Sequence, residues 1–215
     1  MTISPSKIIN TISSTDIELV KTIEHLLCSM YLNKIDNLLI ETLGIEIPIL
    51  DGNIFEFNKI FENNIIEIDK YSHGLEIKQS IQIEDYQIIP SPNLQIYCYI
   101  HDSKSNTKTF LYWEEGSPLI PAKTFGYLQD YPILQAQNLA KGADIENTLI
   151  LTLHKPNYTP FHLNYHKIID FIGDIYTTNF PHIKGSFSIF NPNHTKNNML
   201  AIYLERSVKH AENYI

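Results

Sequence analysis

Three scarcities narrow what this chain can be. It has two cysteines in 215 residues, Cys28 within His-Leu-Leu-Cys-Ser-Met and Cys98 within Ile-Tyr-Cys-Tyr-Ile, and neither lies in a metal-ligand spacing such as CxxC. A disulfide scaffold and a cysteine zinc site are therefore excluded, and both thiols read as buried and reduced, as in a cytoplasmic protein. Basic charge is also short: 16 Lys and Arg stand against 24 Asp and Glu, for a formal net charge of −8. With no local basic patch to offset that balance, nucleic acid is excluded as a partner. Long apolar runs are missing too. No segment approaches the roughly 18 uninterrupted apolar residues of a membrane-spanning helix, and Met-Thr-Ile-Ser-Pro-Ser-Lys lacks the basic region and apolar run of a secretory signal. A cytoplasmic protein with no transmembrane segment is the expectation.

What is present suffices for a real core, since 43% of the residues are hydrophobic and 19% charged. From Glu18 to Asn33, Leu19, Ile23, Leu26, Leu27 and Met30 recur at three and four residues, which predicts an amphipathic helix with Asp16 as its cap. Strands are expected over 37–42 and 46–52, with a turn at Asp51-Gly52 and a helix over 55–61. The pattern loosens between Asn63 and Gly74, so a boundary near His73 would divide a first domain, 1–73, from a second, 74–215. Alternation predicts strands over 75–84 and 94–100, separated by Pro90-Ser-Pro-Asn. Further on come a short helix over 130–139, a strand over 147–153, a helix over 165–176, a strand over 185–190 and a closing helix over 197–210. Without a βαβ rhythm, the order favours an α+β fold.

Three segments carry residue types suited to chemistry. In Tyr165-His-Lys-Ile-Ile-Asp-Phe-Ile-Gly-Asp, His166 and Asp170 stand at i and i+4 on one helical face, where an imidazole and a carboxylate can chelate a divalent ion. Alone, such a pair is more often a weak surface contact than a ligand pair. In Thr22-Ile-Glu-His-Leu-Leu, Glu24 adjoins His25, as a general base adjoins a metal ligand in metallohydrolases; a lone Glu-His also occurs as ordinary packing. Asn191-Pro-Asn-His-Thr-Lys-Asn-Asn is a polar loop after a strand and presents His194.

Together these segments resemble, in order, the UDP-3-O-acyl-N-acetylglucosamine deacetylases of lipid A biosynthesis. Thr22-Ile-Glu-His-Leu is similar to that family's Thr-Val-Glu-His-Leu. Ile35-Asp-Asn and Glu46-Ile-Pro-Ile-Leu-Asp-Gly resemble its Ile-Asp-Asn and Glu-Ile-Pro-Ile-Met-Asp-Gly. Ala122-Lys-Thr-Phe-Gly-Tyr and Gly142-Ala-Asp-Ile-Glu-Asn are similar to Ala-Arg-Thr-Phe-Gly-Phe and Gly-Gly-Ser-Leu-Asp-Asn. The segments beginning at His166 and Gly185 resemble its second ligand helix and its histidine loop.

The resemblance implies two layered sheet-plus-helix domains with the active site between them. It implies a zinc ion held by His25, His166 and Asp170 with one position open. Glu24 would be the general base, Thr124 an oxyanion donor, and His194, partnered by Asp174, a cation that protonates the leaving amine. Lys167 and Phe125 would contact the acylated UDP-N-acetylglucosamine substrate, with Tyr131, Ala140 and Lys141 at the acyl passage. Asp51, Gly52, Gly126 and Gly142 are expected to serve backbone geometry, and His73, His101, His154, His162, His182 and His210 to be ordinary. The family's opening strands, with their Gly-Val-Gly-Leu-His-Ser-Gly-like turn, have no counterpart before Ile8-Ile-Asn-Thr-Ile. The first domain is therefore expected to be shortened, its sheet edge covered by rearranged N-terminal residues, a partner subunit or a second copy. The competing expectation is a non-catalytic or altered-substrate relative acting as a binding or regulatory protein.

Overall fold

A computed structural model describes residues 3–62, 64–66, 74–119, 121–137, 139–152, 159 and 161–212. A 3-10 turn, Pro5–Lys7, leads into an antiparallel pair, β1 (Ile8–Asn10) and β2 (Asp16–Ile17). Helix α1 spans only Glu24–Leu32, shorter than the periodicity predicts. Residues 16–20 are spent on β2 and a tight turn closed by Ile17 N–H to Val20 O at 2.8 Å. Thr22 then takes a left-handed φ of 59°, which a helix cannot propagate through. Asp16 is accordingly no helix cap. Its carboxylate accepts from the Thr22 N–H at 3.0 Å and from the side chains of Asn10 and Ser14.

The strands expected over 37–42 and 46–52 do not form. Only Lys21 and Glu46 make an isolated bridge, and Leu39 and Leu43 face solvent, because an apolar run becomes a strand only where a neighbouring edge supplies its ladder. The Asp51-Gly52 turn is present. Gly52 has φ 78°, and a Cβ there would meet the Asn147 carbonyl oxygen at 1.7 Å. Gly126 and Gly142 have neither a positive φ nor a close neighbour, so no backbone requirement explains them. Helix α2 (Phe55–Glu62) follows, with Asn53 Oδ1 accepting the Phe55 N–H at 2.7 Å and Phe57 and Phe61 buried. The boundary expected near His73 lies outside the described residues.

Then come β3 (Leu75–Glu76), β4 (Ile81–Ile83), β5 (Tyr86–Ile89), β6 (Leu94–Asp102) and β7 (Thr107–Glu114). After them the chain forms β8 (Thr124–Tyr127), a 3-10 turn at Leu128–Asp130, α3 (Tyr131–Ala136) and β9 (Thr148–Leu151). It closes with α4 (His162–Tyr176), β10 (Ile183–Phe190) and α5 (His194–Glu212). One sheet has the order β4-β5-β10-β6-β7, with β3 joined to the start of β10. Since β10 runs parallel to β6 and antiparallel to β5, the sheet is mixed, and the fold is α+β as the element order implied. β8 and β9 form a separate parallel pair.

Leu94, Ile96 and Cys98 of β6 and Phe187 and Ile189 of β10 face inward, beneath α4, which packs in turn on α5 and α1. One buried apolar cluster runs from Ile17 through α1 and α4 to Leu204. At the α1–α4 crossing the backbones nearly touch: a Cβ on Gly173 would lie 1.9 Å from the Glu24 carbonyl oxygen. No side chain fits there. Gly173→Ala is therefore expected to lower the unfolding free energy by about 2 kcal/mol or more, an overpacking cost, read from urea denaturation. Wild-type stability in that variant would contradict the close crossing.

Candidate metal centre

The crossing places the first turn of α1 against the inner face of α4. Seven ionisable side chains, each foreseen in the sequence, meet there: Glu24 and His25 from α1, His166, Lys167, Asp170 and Asp174 from α4, and His194 at the start of α5. Asp170 is the hub. His25 Nε2 lies 3.3 Å from its Oδ1, and His166 Nε2 lies 3.5 Å from its Oδ2. Lys167 Nζ donates to Oδ2 at 2.9 Å, and His194 Nε2 stands 4.0 Å from the same oxygen. All but Lys167 are buried.

Burial and charge assign different protonation states to these groups. Burial alone would raise the Asp170 carboxyl. His166, Lys167, His194 and the hydrogen bond from His25 outweigh it, and the group lies well below the usual carboxylate range. Burial lifts Glu24 to about 7, although His194 and His25 pull it down. Burial presses His166 down to about 3, leaving a neutral imidazole with a free lone pair. It also opposes charge on His194, but Asp174, Asp170 and Glu24 together hold that ring up at about 10.

His25, His166 and Asp170 each offer one ligand atom, all within 4.8 Å of one another. Two imidazoles and a carboxylate form a donor set suited to a divalent transition ion. His166 Nδ1 is buried and makes no hydrogen bond of ordinary geometry, but the Ala122 backbone stands close enough to draw on the ring, and a carbonyl on the far nitrogen is how metal-bound imidazoles are commonly oriented.

Further hydrogen bonds fix the remaining groups. Thr15 N–H donates to Glu24 Oε2 at 3.0 Å, and among the described residues none donates to Oε1. Asp174 takes His194 Nδ1–H at 2.8 Å, Asn197 Nδ2–H at 2.8 Å and Thr15 Oγ1–H at 2.5 Å. Tyr86 donates to Asn197 Oδ1 at 2.7 Å. The Phe125 ring from β8 packs edge-on to His166 at 5.3 Å, and Lys167 Nζ lies 5.6 Å above it.

A family model described as UDP-3-O-acyl N-acetylglycosamine deacetylase matches residues 1–206. The chain belongs to that family. It is 31% identical over 219 residues to the UDP-3-O-acyl-N-acetylglucosamine deacetylase of Aquifex aeolicus, covering 94% of this chain and 77% of that protein. Deacetylases of the same name from Francisella tularensis and Helicobacter pylori are 30% and 29% identical, over 84% and 98% of this chain and 69% and 78% of theirs.

Two residues expected at the deacetylase site make their hydrogen bonds outside the cluster. Thr124 gives both its N–H, at 2.7 Å, and its hydroxyl, at 3.4 Å, to the Gly52 carbonyl. Tyr131 is exposed at the start of α3 and accepts from Gln135. Thr15 and Asn197 escaped the sequence reading. Asn197 lies one turn after His194, a usable spacing, whereas nothing local marks Thr15, which reaches the site only through the fold.

The His194–Asp174 pair can be tested by itself. In metal-free protein the ring is expected to stay protonated at pH 8, and Asp174→Asn should move its NMR titration midpoint down from about 10 towards the ordinary value near 6.5. Because the folded-state value is raised, the pair's contribution to stability is complete below about 6.5 and is lost as pH rises through the folded value. An unchanged midpoint in the variant would remove Asp174 as the cause.

Proposed function

We propose that the chain hydrolyses the N-acetyl amide of UDP-3-O-acyl-N-acetylglucosamine, releasing acetate in lipid A biosynthesis as a cytoplasmic zinc enzyme. The observation that carries this reading is the convergence of His25, His166 and Asp170 beside a carboxylate poised at about 7 and an imidazolium held at about 10. We also propose two domains, 1–73 and 74–215, that meet at the α1–α4 crossing.

His25, His166 and Asp170 would hold the ion. When bound, zinc supplies Lewis acidity for the amide carbonyl and lowers the pKa of water towards about 7. Glu24 then accepts the proton of the attacking water at Oε1, since Thr15 occupies Oε2. A carboxyl near 7 suits this, because a general base works best with its pKa near ambient pH. His194 gives a proton from Nε2 to the leaving amine, its Nδ1–H remaining on Asp174. In the interval its charge, in a site shielded from water, stabilises the developing oxyanion.

The Thr124 hydroxyl adds a donor to that oxyanion by leaving its long, weak bond to Gly52. Lys167, pinned by Asp170, binds the sugar or phosphate side, and Phe125 forms the wall beside it. A groove of about 370 Å³ lined by Phe125, Tyr127, Asp130, Ile133 and Leu134 receives the acyl chain, and Tyr131 follows Asp130 in the sequence.

Acetate release should be measured on UDP-3-O-acyl-N-acetylglucosamine and on UDP-N-acetylglucosamine. The acylated substrate is expected to be strongly preferred, each buried CH₂ adding roughly 0.8 kcal/mol. Glu24→Gln should lower the rate at least about 100-fold while zinc stays bound, the usual size of general-base assistance. Zinc-loaded, folded protein releasing no acetate from either substrate would contradict the proposal, and an undiminished rate in Glu24→Gln would remove Glu24 from it.

A further inference from the structure

Helix α3 is placed without apolar anchoring. None of its residues is buried, and Ile133 is 60% exposed, yet Ile133 and Leu134 form one wall of the groove whose other end reaches Phe125. Among the described residues the preceding strand, β8, pairs with β9 alone. Thr124 on Gly52 and Phe125 on His166 tie the start of β8 to the body, which leaves its far end and α3 in need of a further fixing point.

The tip of the β6–β7 hairpin supplies that fixing point. Asp102, the last residue of β6, accepts the Lys104 N–H at 3.2 Å and a hydrogen bond from the Ser105 hydroxyl, which holds the tip in one shape. Asn106 completes the turn with φ 51°. From this tip two groups reach across the groove mouth. The Asp102 carboxylate accepts the Tyr127 hydroxyl, and Lys104 Nζ pairs with Asp130 while lying 4.9 Å above the Tyr127 ring. Tyr127 ends β8 and Asp130 immediately precedes α3, so both contacts fall on the hinge of the groove wall. Hydrogen bonds from Ser105 and Tyr127 outweigh partial burial and keep Asp102 below its usual carboxylate range, so it stays an anion across the neutral range.

We propose that the β6–β7 hairpin tip is a clamp in which Asp102 and Lys104 act as positioning residues, holding Tyr127 and Asp130 so that α3 stands at the groove width suited to the acyl chain. The clamp rests on the reading of the groove as the acyl site. It has no part in proton transfer, and its action is on discrimination between acylated and unacylated substrates.

The test compares the wild-type protein with Asp102→Asn and Lys104→Met. The ratio of kcat/KM for UDP-3-O-acyl-N-acetylglucosamine to that for UDP-N-acetylglucosamine is expected to fall about tenfold, mainly through KM for the acylated substrate, as a loss of binding shared by ground and transition states. Hydrogen exchange of amides 124–136 should rise in both variants, and reversing the pair with Lys104→Asp and Asp130→Lys together should restore both readouts. An equal loss on both substrates would overturn the clamp as a specificity device, and so would an unchanged ratio. If the wild-type protein cleaves neither substrate, the functional reading fails by itself. The exchange measurement then decides the clamp, and unaltered exchange would overturn it.

Discussion

The contact on which the rest depends is the approach of the Glu24 carbonyl to Gly173. A backbone with no Cβ lets α1 lie against α4 closer than any side chain would allow. That distance brings the ligand atoms of His25, His166 and Asp170 within 4.8 Å of one another. A residue with a side chain at 173 would push the first turn of α1 outward and carry Glu24 and His25 away from their partners. The buried apolar cluster around the crossing, including Leu27 and Ile169, makes that displacement costly.

Burying this many ionisable groups is tolerable only because each compensates another. An unpaired charge in such a setting costs several kcal/mol, so removing one member perturbs its neighbours. The same coupling divides the labour. Asp170 and His194 keep opposite charges, His166 stays neutral and Glu24 lies between its two states near neutrality. Groups of similar chemistry are thus driven to different pKa values by their surroundings, a pattern that accompanies acid–base catalysis. Thr15, Asn197 and Tyr86 stand behind them and fix which oxygen or nitrogen remains available.

Much of this was legible in the sequence, for different physical reasons. The i, i+4 spacing of His166 and Asp170 is a local property of a helix, and the segments carrying Glu24, His25 and His194 could be matched as short motifs. Strands were read where alternation is clean, as in β6. They were missed where both faces are apolar or aromatic: β7 exposes Phe110 and Tyr112 on its outer face, which erases the two-residue period. The early start expected for α1 failed because Thr22 takes a left-handed φ that no periodicity reports. Likewise, the stretch 37–42 reads as a strand because composition does not say whether a partner edge exists. Thr15 and the role of Gly173 belong to the tertiary crossing, which no local pattern encodes.

The most direct test of the account is the metal stoichiometry of folded protein reconstituted with zinc and freed of excess, measured by inductively coupled plasma mass spectrometry. Three protein ligands from two packed helices should hold about one zinc per chain. Asp170→Ala should lose it while circular dichroism still reports a folded chain. Folded wild-type protein without zinc, or zinc retained undiminished in Asp170→Ala, would contradict the centre built by the α1–α4 crossing.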